Sequence, residues 1–229
     1  MNFNEFSRNV ILSAEDICRD IFKENRASIK IKKEAVVVKN LVTIFNATLR
    51  LSNEKGFQAM SLRDLCQETG LSMGALYSYF SSKDELLQII QEQGRRLAVK
   101  VLTEHIEGAD GPEEKLEAAI RSHLYLSEIM QEWFFFSYME TRYLDREEHK
   151  KAIAGELFTE QLFIDILELG KQQQTFRVDH TALVAAAIKA MLQDWYLKRW
   201  KYSRRSVSVE EYAGFLTGFI RSHIMPRER

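Results

Sequence analysis

Only two prolines, Pro112 and Pro226, and ten glycines interrupt a chain of 229 residues. These are the residues that stop helices, so long helices are open to this chain almost everywhere. Between the breaks, apolar residues return at steps of three and four, which places them on one helical face. The expectation is an all-α protein. With 45% hydrophobic residues there is material for a substantial core, in one large domain or two small ones.

Charge narrows the partners. The net charge is −1, so any nucleic-acid surface must be a local patch. Cys18 and Cys66 lie far apart within helical patterns and read as reduced thiols, not a disulfide. The N-terminus lacks a charged region followed by an apolar core, and no stretch stays apolar for 18 residues, so a soluble cytoplasmic protein without a membrane partner is expected.

Along the chain, Phe3, Phe6, Val10, Ala14, Ile17 and Ile21 share one face of a first amphipathic helix within residues 1–28, which either docks on the body of the protein, the favoured reading, or forms a mobile arm. A basic link, Ile29 to Lys33, follows. Val38, Leu41, Val42, Phe45 and Leu49 mark a helix from Glu34 to Lys55, stopped by Gly56. Ser61, with Asp64 three residues on, starts a short helix that ends at Gly70. Ser72 caps another, reaching Phe80. Ser82 and Glu85 form a capping box that opens a long helix to His105. Gly108, Gly111 and Pro112 make the clearest break. Helices are expected over 112–130, 131–144, 145–173, 179–202 (Asp179 as its cap) and from Ser208, with Glu211, to just before Pro226.

The stretch Ser61–Leu87 carries the chemistry. Two short helices joined by a tight turn can present the second helix to a DNA groove. Leu62, Leu65, Cys66, Leu71, Leu76 and Phe80 supply inner faces, which leaves Met73, Gly74, Ala75, Tyr77, Ser78 and Tyr79 outward or sideways. Gly74 and Ala75 permit close approach, and Ala75 can touch a thymine methyl. Tyrosine hydroxyls can donate to phosphates, and the helix starts at Ser61 and Ser82 offer free N–H groups beside the charge of Lys83. From Lys30 to Lys83 there are eight basic against four acidic residues, a local +4. Of these, Arg50 and Lys55 read as an ordinary solvated face.

At these residues the sequence resembles the tetracycline-repressor (TetR) family of bacterial transcriptional regulators. The resemblance runs from about Ile44 to Leu87: Glu54-Lys55-Gly56-Phe57, Ser61-Leu62-Arg63-Asp64-Leu65, Gly70-Leu71-Ser72, Gly74-Ala75-Leu76-Tyr77-Ser78-Tyr79-Phe80 and Ser82-Lys83-Asp84-Glu85-Leu86-Leu87. It implies that Met73, Gly74 and Ala75 face bases, that Tyr77, Tyr79 and Lys83 contact phosphates, and that Ser61 and Ser72 cap their helices near the DNA backbone. The breaks along the chain and the resemblance together give an expected organisation of an extension at 1–33, a three-helix helix-turn-helix domain at 34–90 and a helical ligand-binding and dimerisation domain at 91–229, with the boundary inside the long helix that opens at Ser82, about nine helices with one extra at the N-terminus. The family usually begins near its first helix, and this chain has some thirty residues before it.

In the second half, Trp133-Phe134-Phe135-Phe136 points in four directions and cannot line one pocket alone. Met130, Phe134, Tyr138, Phe158, Leu162, Met191 and Trp195 provide enough aromatic and Met surface for an elongated apolar cavity, and Arg142 could hold a carboxylate there. Each ring taken singly also fits plain core packing. The run Trp195-Tyr196-Leu197-Lys198-Arg199-Trp200 is similar to one in regulators that respond to fatty or acyl compounds. Small and apolar faces after Asp179 and after Ser208 suit a four-helix dimer interface.

The five histidines have no metal-ligand spacing, no Cys-x-x-Cys is present, and no nucleophile–base grouping or phosphate-cradling glycine loop stands out, so neither a cofactor nor an enzyme is expected. The expected function is a homodimeric repressor on a palindromic double-stranded DNA operator, released by a hydrophobic effector, acyl or aromatic in kind. The rival from another class is a helical small-molecule-binding or scaffold protein without DNA binding.

Overall fold

The computed structural model describes residues 2–9, 14–24, 29 and 33–226. Among them are twelve α-helices and no strand: α1 Phe3–Asn9, α2 Ala14–Glu24, α3 Glu34–Lys55, α4 Leu62–Thr69, α5 Met73–Leu76, α6 Lys83–Glu107, α7 Gly111–Ile129, α8 Gln131–Glu140, α9 Arg146–Gln172, α10 Thr181–Leu197, α11 Arg199–Arg204 and α12 Val209–Ile224. A 3-10 turn, Thr141–Tyr143, follows α8. None of the described helices is long and apolar enough to cross a membrane.

Most starts and stops are local chemistry. Ser61 and Asp64 form a reciprocal capping box, as do Ser208 and Glu211. Gly70 ends α4 at φ 69°, a left-handed conformation that glycine adopts without a Cβ penalty. At the start of α6 the box is shifted. Ser82 Oγ accepts from Glu85 N (3.1 Å), whereas the Glu85 carboxylate receives the Ser81 N–H and O–H.

The N-terminal helix and the helix expected over 179–202 differ from the sequence expectation. The N-terminal pattern is divided between α1 and α2, which pack in different units; Val10 lies outside the described residues, as do Lys30 and Lys32 of the basic link. Asp179 does not cap α10, which starts after His180 without a side-chain cap. The helix expected to reach residue 202 breaks at Lys198, because Asp194 gathers Lys198 Nζ (2.7 Å), Lys201 Nζ and Tyr202 Oη (2.5 Å) onto one carboxylate. Those donors hold Asp194 well below the usual carboxylate range against the opposing effect of burial.

Contacts gather into two units. One comprises Ile11–Arg96 and Glu132–His149. Its core joins Cys18, Ile21 and Phe22 of α2 to Val37, Leu41 and Ile44 of α3, with Leu65, Leu76 and Leu86 beyond them. Residues 132–149, which follow the expected boundary at 90, are part of this unit, through Trp133, Phe134 and Phe136.

The other unit comprises Met1–Val10, Leu97–Gln131 and Lys150–Arg229. Here α7 packs against α1, α10 and α12. Phe6, fully buried, lies 5.5 Å from the Tyr125 ring and 5.0 Å from His105. Phe3 N donates to Glu210 (2.8 Å), which also accepts from Tyr125 Oη and Arg121. The first part of the N-terminal extension is therefore docked, as its apolar face requires. Phe6→Ala is expected to destabilise the protein by about 3 kcal/mol, read as a lower urea midpoint. A change under about 0.5 kcal/mol would show that α1 adds no useful burial.

Candidate nucleic-acid interface

The helix-turn-helix is assembled mostly from contacts over a few residues. Asp64 Oδ2 accepts from Ser61 N (2.7 Å) and Lys55 Nζ (2.8 Å), and Ser61 Oγ accepts from Asp64 N (3.2 Å). Lys55 first, then the Ser61 donors, hold the Asp64 carboxyl well below its ordinary range. In the turn, Leu71 N donates to Thr69 Oγ1 (3.2 Å). Ser72 Oγ then accepts from Ala75 N (3.2 Å) and caps α5.

α5 is one turn long, shorter than the expected run to Phe80. After it the bonds tighten to three-residue spacing, Ser78 N to Ala75 O and Tyr79 N to Leu76 O. Ser78 Oγ also donates to Gly74 O (3.1 Å). The tightening carries Tyr79 and Phe80 into the core, each 3% exposed, while Tyr77 stays 45% exposed.

The predicted site residues thus separate. Ser61, Ser72, Gly74 and Tyr77 are exposed, and Met73 and Ala75 half-exposed. A Cβ at Gly74 would meet nothing within 4 Å. Tyr79 and Lys83 go elsewhere. The Tyr79 ring is buried and its hydroxyl accepts from Asn40 Nδ2 (2.6 Å); burial raises its pKa. Lys83 Nζ turns inward, donating to the carbonyls of Gln58 (3.1 Å) and Met60 (2.7 Å) and lying 4.7 Å from the centre of the Phe57 ring. Burial lowers its pKa. Of the local +4, Arg50 pairs with Glu54 and Glu68 and Lys55 with Asp64, while Lys39 and Arg63 remain exposed.

The eight residues expected to line an effector cavity are divided between the two units. Phe134, Tyr138 and Arg142 lie in the unit that carries the helix-turn-helix; Met130, Phe158, Leu162, Met191 and Trp195 lie in the other. Phe134 packs edge-on against Trp133 (5.1 Å), Tyr138 is 51% exposed, and Arg142 covers the Tyr143 ring (4.6 Å). Phe158 is 43% exposed. Trp195 is fully buried and fixed: its Nε1 donates to Glu128 Oε2 (3.0 Å), it stacks on Tyr212, and Arg199 covers it. Of the eight, only Met191 lines the groove of about 840 Å³ formed with Val178, Leu183, Val184, Ala187, Phe219 and Ile220.

Sequence reasoning passed over Lys189, whose signal was one lysine inside an otherwise apolar helix. It is 4% exposed, donates to Thr159 Oγ1 (2.7 Å) and lies 3.4 Å from Glu156. Burial lowers its pKa and, with the Lys189 charge, that of His123. No group of His, Cys, Asp and Glu suited to a metal ion occurs among the described residues.

Comparison with known proteins adds the family. Residues 44–90 match the profile described as bacterial regulatory proteins, tetR family, and residues 109–221 match the tetracyclin repressor-like C-terminal domain. The chain is 22% identical over 169 residues to the HTH-type transcriptional regulator HbdR of Aromatoleum sp. (strain CIB), covering 74% of this chain and 73% of that protein. It is 31% identical to the TetR family transcriptional regulator PfmR of Thermus thermophilus, covering 81% of this chain and 99% of that one, at a TM-score of 0.71. The structure of AibR in complex with isovaleryl coenzyme A and operator DNA is similar in fold, with 20% identity, a TM-score of 0.69 and coverage of 77% and 95%. A helix-turn-helix at 61–80, profiles of both halves in register and a relative of nearly full coverage lead to one conclusion: this chain belongs to the TetR family and is a DNA-binding transcriptional regulator.

Proposed function

We propose that this regulator is a repressor that grips a palindromic operator as a homodimer in the cytoplasm and leaves it on binding an apolar small molecule. The observation that carries the reading is the surface of α5. Gly74 and Ala75 leave its exposed side almost bare, so its backbone can come close to base edges, with Met73 beside them to set preference. Tyr77 is the phosphate contact, and the capped starts at Ser61 and Ser72 lie against the DNA backbone. Tyr79 and Lys83 support this surface from within.

Two copies are needed, because each α5 reads one half-site and the pair must stand about 34–36 Å apart. The exposed apolar residues of α10 and α12 (Leu183, Phe215 and Phe219) and the open Gly214 and Gly218 suit a partner copy. An effector that binds the form with the wrong spacing more tightly releases the operator, by no more than its differential affinity. That AibR was solved with both an acyl coenzyme A and operator DNA supports an effector of acyl kind.

Selection from random duplex DNA at two salt concentrations tests the reading, which fails if no sequence is enriched over bulk DNA. On the selected operator, Tyr77→Phe is expected to weaken binding about five-fold. The loss should be equal across operator variants, with the salt slope unchanged because no charge is removed. Substitutions at Met73 or Ala75 should instead change which bases are preferred. Wild-type affinity of Tyr77→Phe at matched salt would remove the phosphate role.

A further inference from the structure

The chain leaves α3 through a corner, Gly56 to Met60, before the Ser61 cap of α4. Two charged residues far apart in sequence hold that corner. Lys83, at the start of α6, donates to the carbonyls of Gln58 and Met60. Glu140, the last residue of α8, accepts the Phe57 N–H at Oε1 (3.2 Å). Glu140 is 4% exposed, and its Oε2 is buried without a hydrogen-bond partner among the described residues. A carboxylate so placed costs folding energy, and an amide or an apolar residue would fill the space more cheaply.

The Phe57 ring is fully buried between these groups, under the Lys83 ammonium and edge-on to Phe136 of α8 (5.8 Å). α8 is itself fastened to α6. Trp133 Nε1 donates to Ile90 O (3.0 Å), and Ser137 and Gln91 exchange two hydrogen bonds. Yet α8 lies within the span matched by the family's C-terminal domain, not its DNA-binding domain.

We propose that Glu140 is a positioning residue for operator recognition: with Lys83 it fixes the corner at Phe57, and so the direction in which Ser61–Tyr79 leaves α3. The proposal rests on α5 being the reading element. It makes α8 the part of the C-terminal half whose displacement is felt at the recognition turn, through the Phe57–Glu140 hydrogen bond and the Phe57–Phe136 ring contact. Lys83 then serves the same corner from the other charge, which accounts for its ammonium facing carbonyls instead of solvent.

The experiment compares full-length Glu140→Ala and Glu140→Gln with wild type. Gln keeps the acceptor for Phe57 N–H and removes the charge. Amide exchange is measured without DNA, and affinity is measured on the operator selected by wild type. In Glu140→Ala, exchange at Phe57 to Ser61 should rise by about ten- to a hundredfold, while Leu41 and Leu65 keep wild-type protection. Operator affinity should fall by about the same factor with an unchanged salt slope, since no phosphate contact is lost. Glu140→Gln should restore both to within about three-fold. If the Ala variant does not fold, the Gln variant is read against Glu140→Asp, which withdraws the acceptor by one methylene and should behave as Ala is expected to.

Unchanged affinity without the acceptor, exchange raised equally across the whole unit, or a Gln variant no better than Ala would each overturn the proposal. Failure of wild type to select any operator would overturn the DNA reading and this proposal with it. Selection by wild type with no effect at Glu140 overturns the proposal alone.

Discussion

Gly94→Ala is expected to lower stability by about 3 kcal/mol and the thermal midpoint by roughly 5–10 °C. Gly94 is buried in α6, and a Cβ there would overlap Cε2, Cζ2 and Nε1 of Trp133. The indole has no easy retreat. It is 8% exposed, its Nε1 is tied to Ile90 O, and Phe134 packs on it at 5.1 Å. Ala is otherwise the better helix former by about 1 kcal/mol, so the sign of the effect belongs to Trp133. On a Trp133→Ala background the same change should become neutral or stabilising. Urea titration of the four proteins in that double-mutant cycle measures the coupling. Equal costs on both backgrounds would mean that the indole does not occupy the Gly94 notch.

Leu183→Glu with Phe219→Glu should dissociate the dimer by at least about a hundredfold, and operator affinity should fall at least as far. Leu183 is 69% exposed and Phe219 52%, the latter stacked at 6.1 Å on Phe215, so neither change removes core packing within the chain. Helical circular dichroism should stay as in wild type. Two carboxylates placed in a small-residue interface must be desolvated without partners, and a second copy then gains little by docking. Sedimentation over a concentration series reads the dimer, and a gel shift on the selected operator reads the binding. A dimer that persists at wild-type concentrations would place the interface on another face.

What could be read directly from the sequence was local. Ser61 with Asp64, Gly70, Ser72, and Ser208 with Glu211 act over three or four residues, so their pattern survives without knowledge of the fold. The family resemblance added the register of the helix-turn-helix and the division into two functions. The structure corrected the expectations that depended on direction. Tyr79 and Lys83 have the chemistry of phosphate ligands, but that chemistry serves equally for an asparagine amide or a pair of carbonyls, and the corner at Phe57 takes Lys83. The helical period also runs smoothly through Lys198, where the helix breaks; the cause is the set of donors converging on Asp194.

The effector candidates show the same limit. Phe134 and Trp195 share aromatic character, yet one packs on Trp133 and the other is held by Glu128 and Tyr212. Residues 132–149 illustrate it best. Their composition suits the C-terminal half, and only three-dimensional packing places Trp133 on α6 and Glu140 on the Phe57 amide. By itself the sequence determined the helical class, the caps at Ser61, Ser72 and Ser208 and the family, because each rests on neighbours a few residues apart or on a contiguous motif. Tertiary structure alone decided which tyrosine faces outward, where Lys83 spends its protons and which helix holds the recognition corner. Those outcomes depend on burial and on hydrogen bonds between groups more than twenty residues apart.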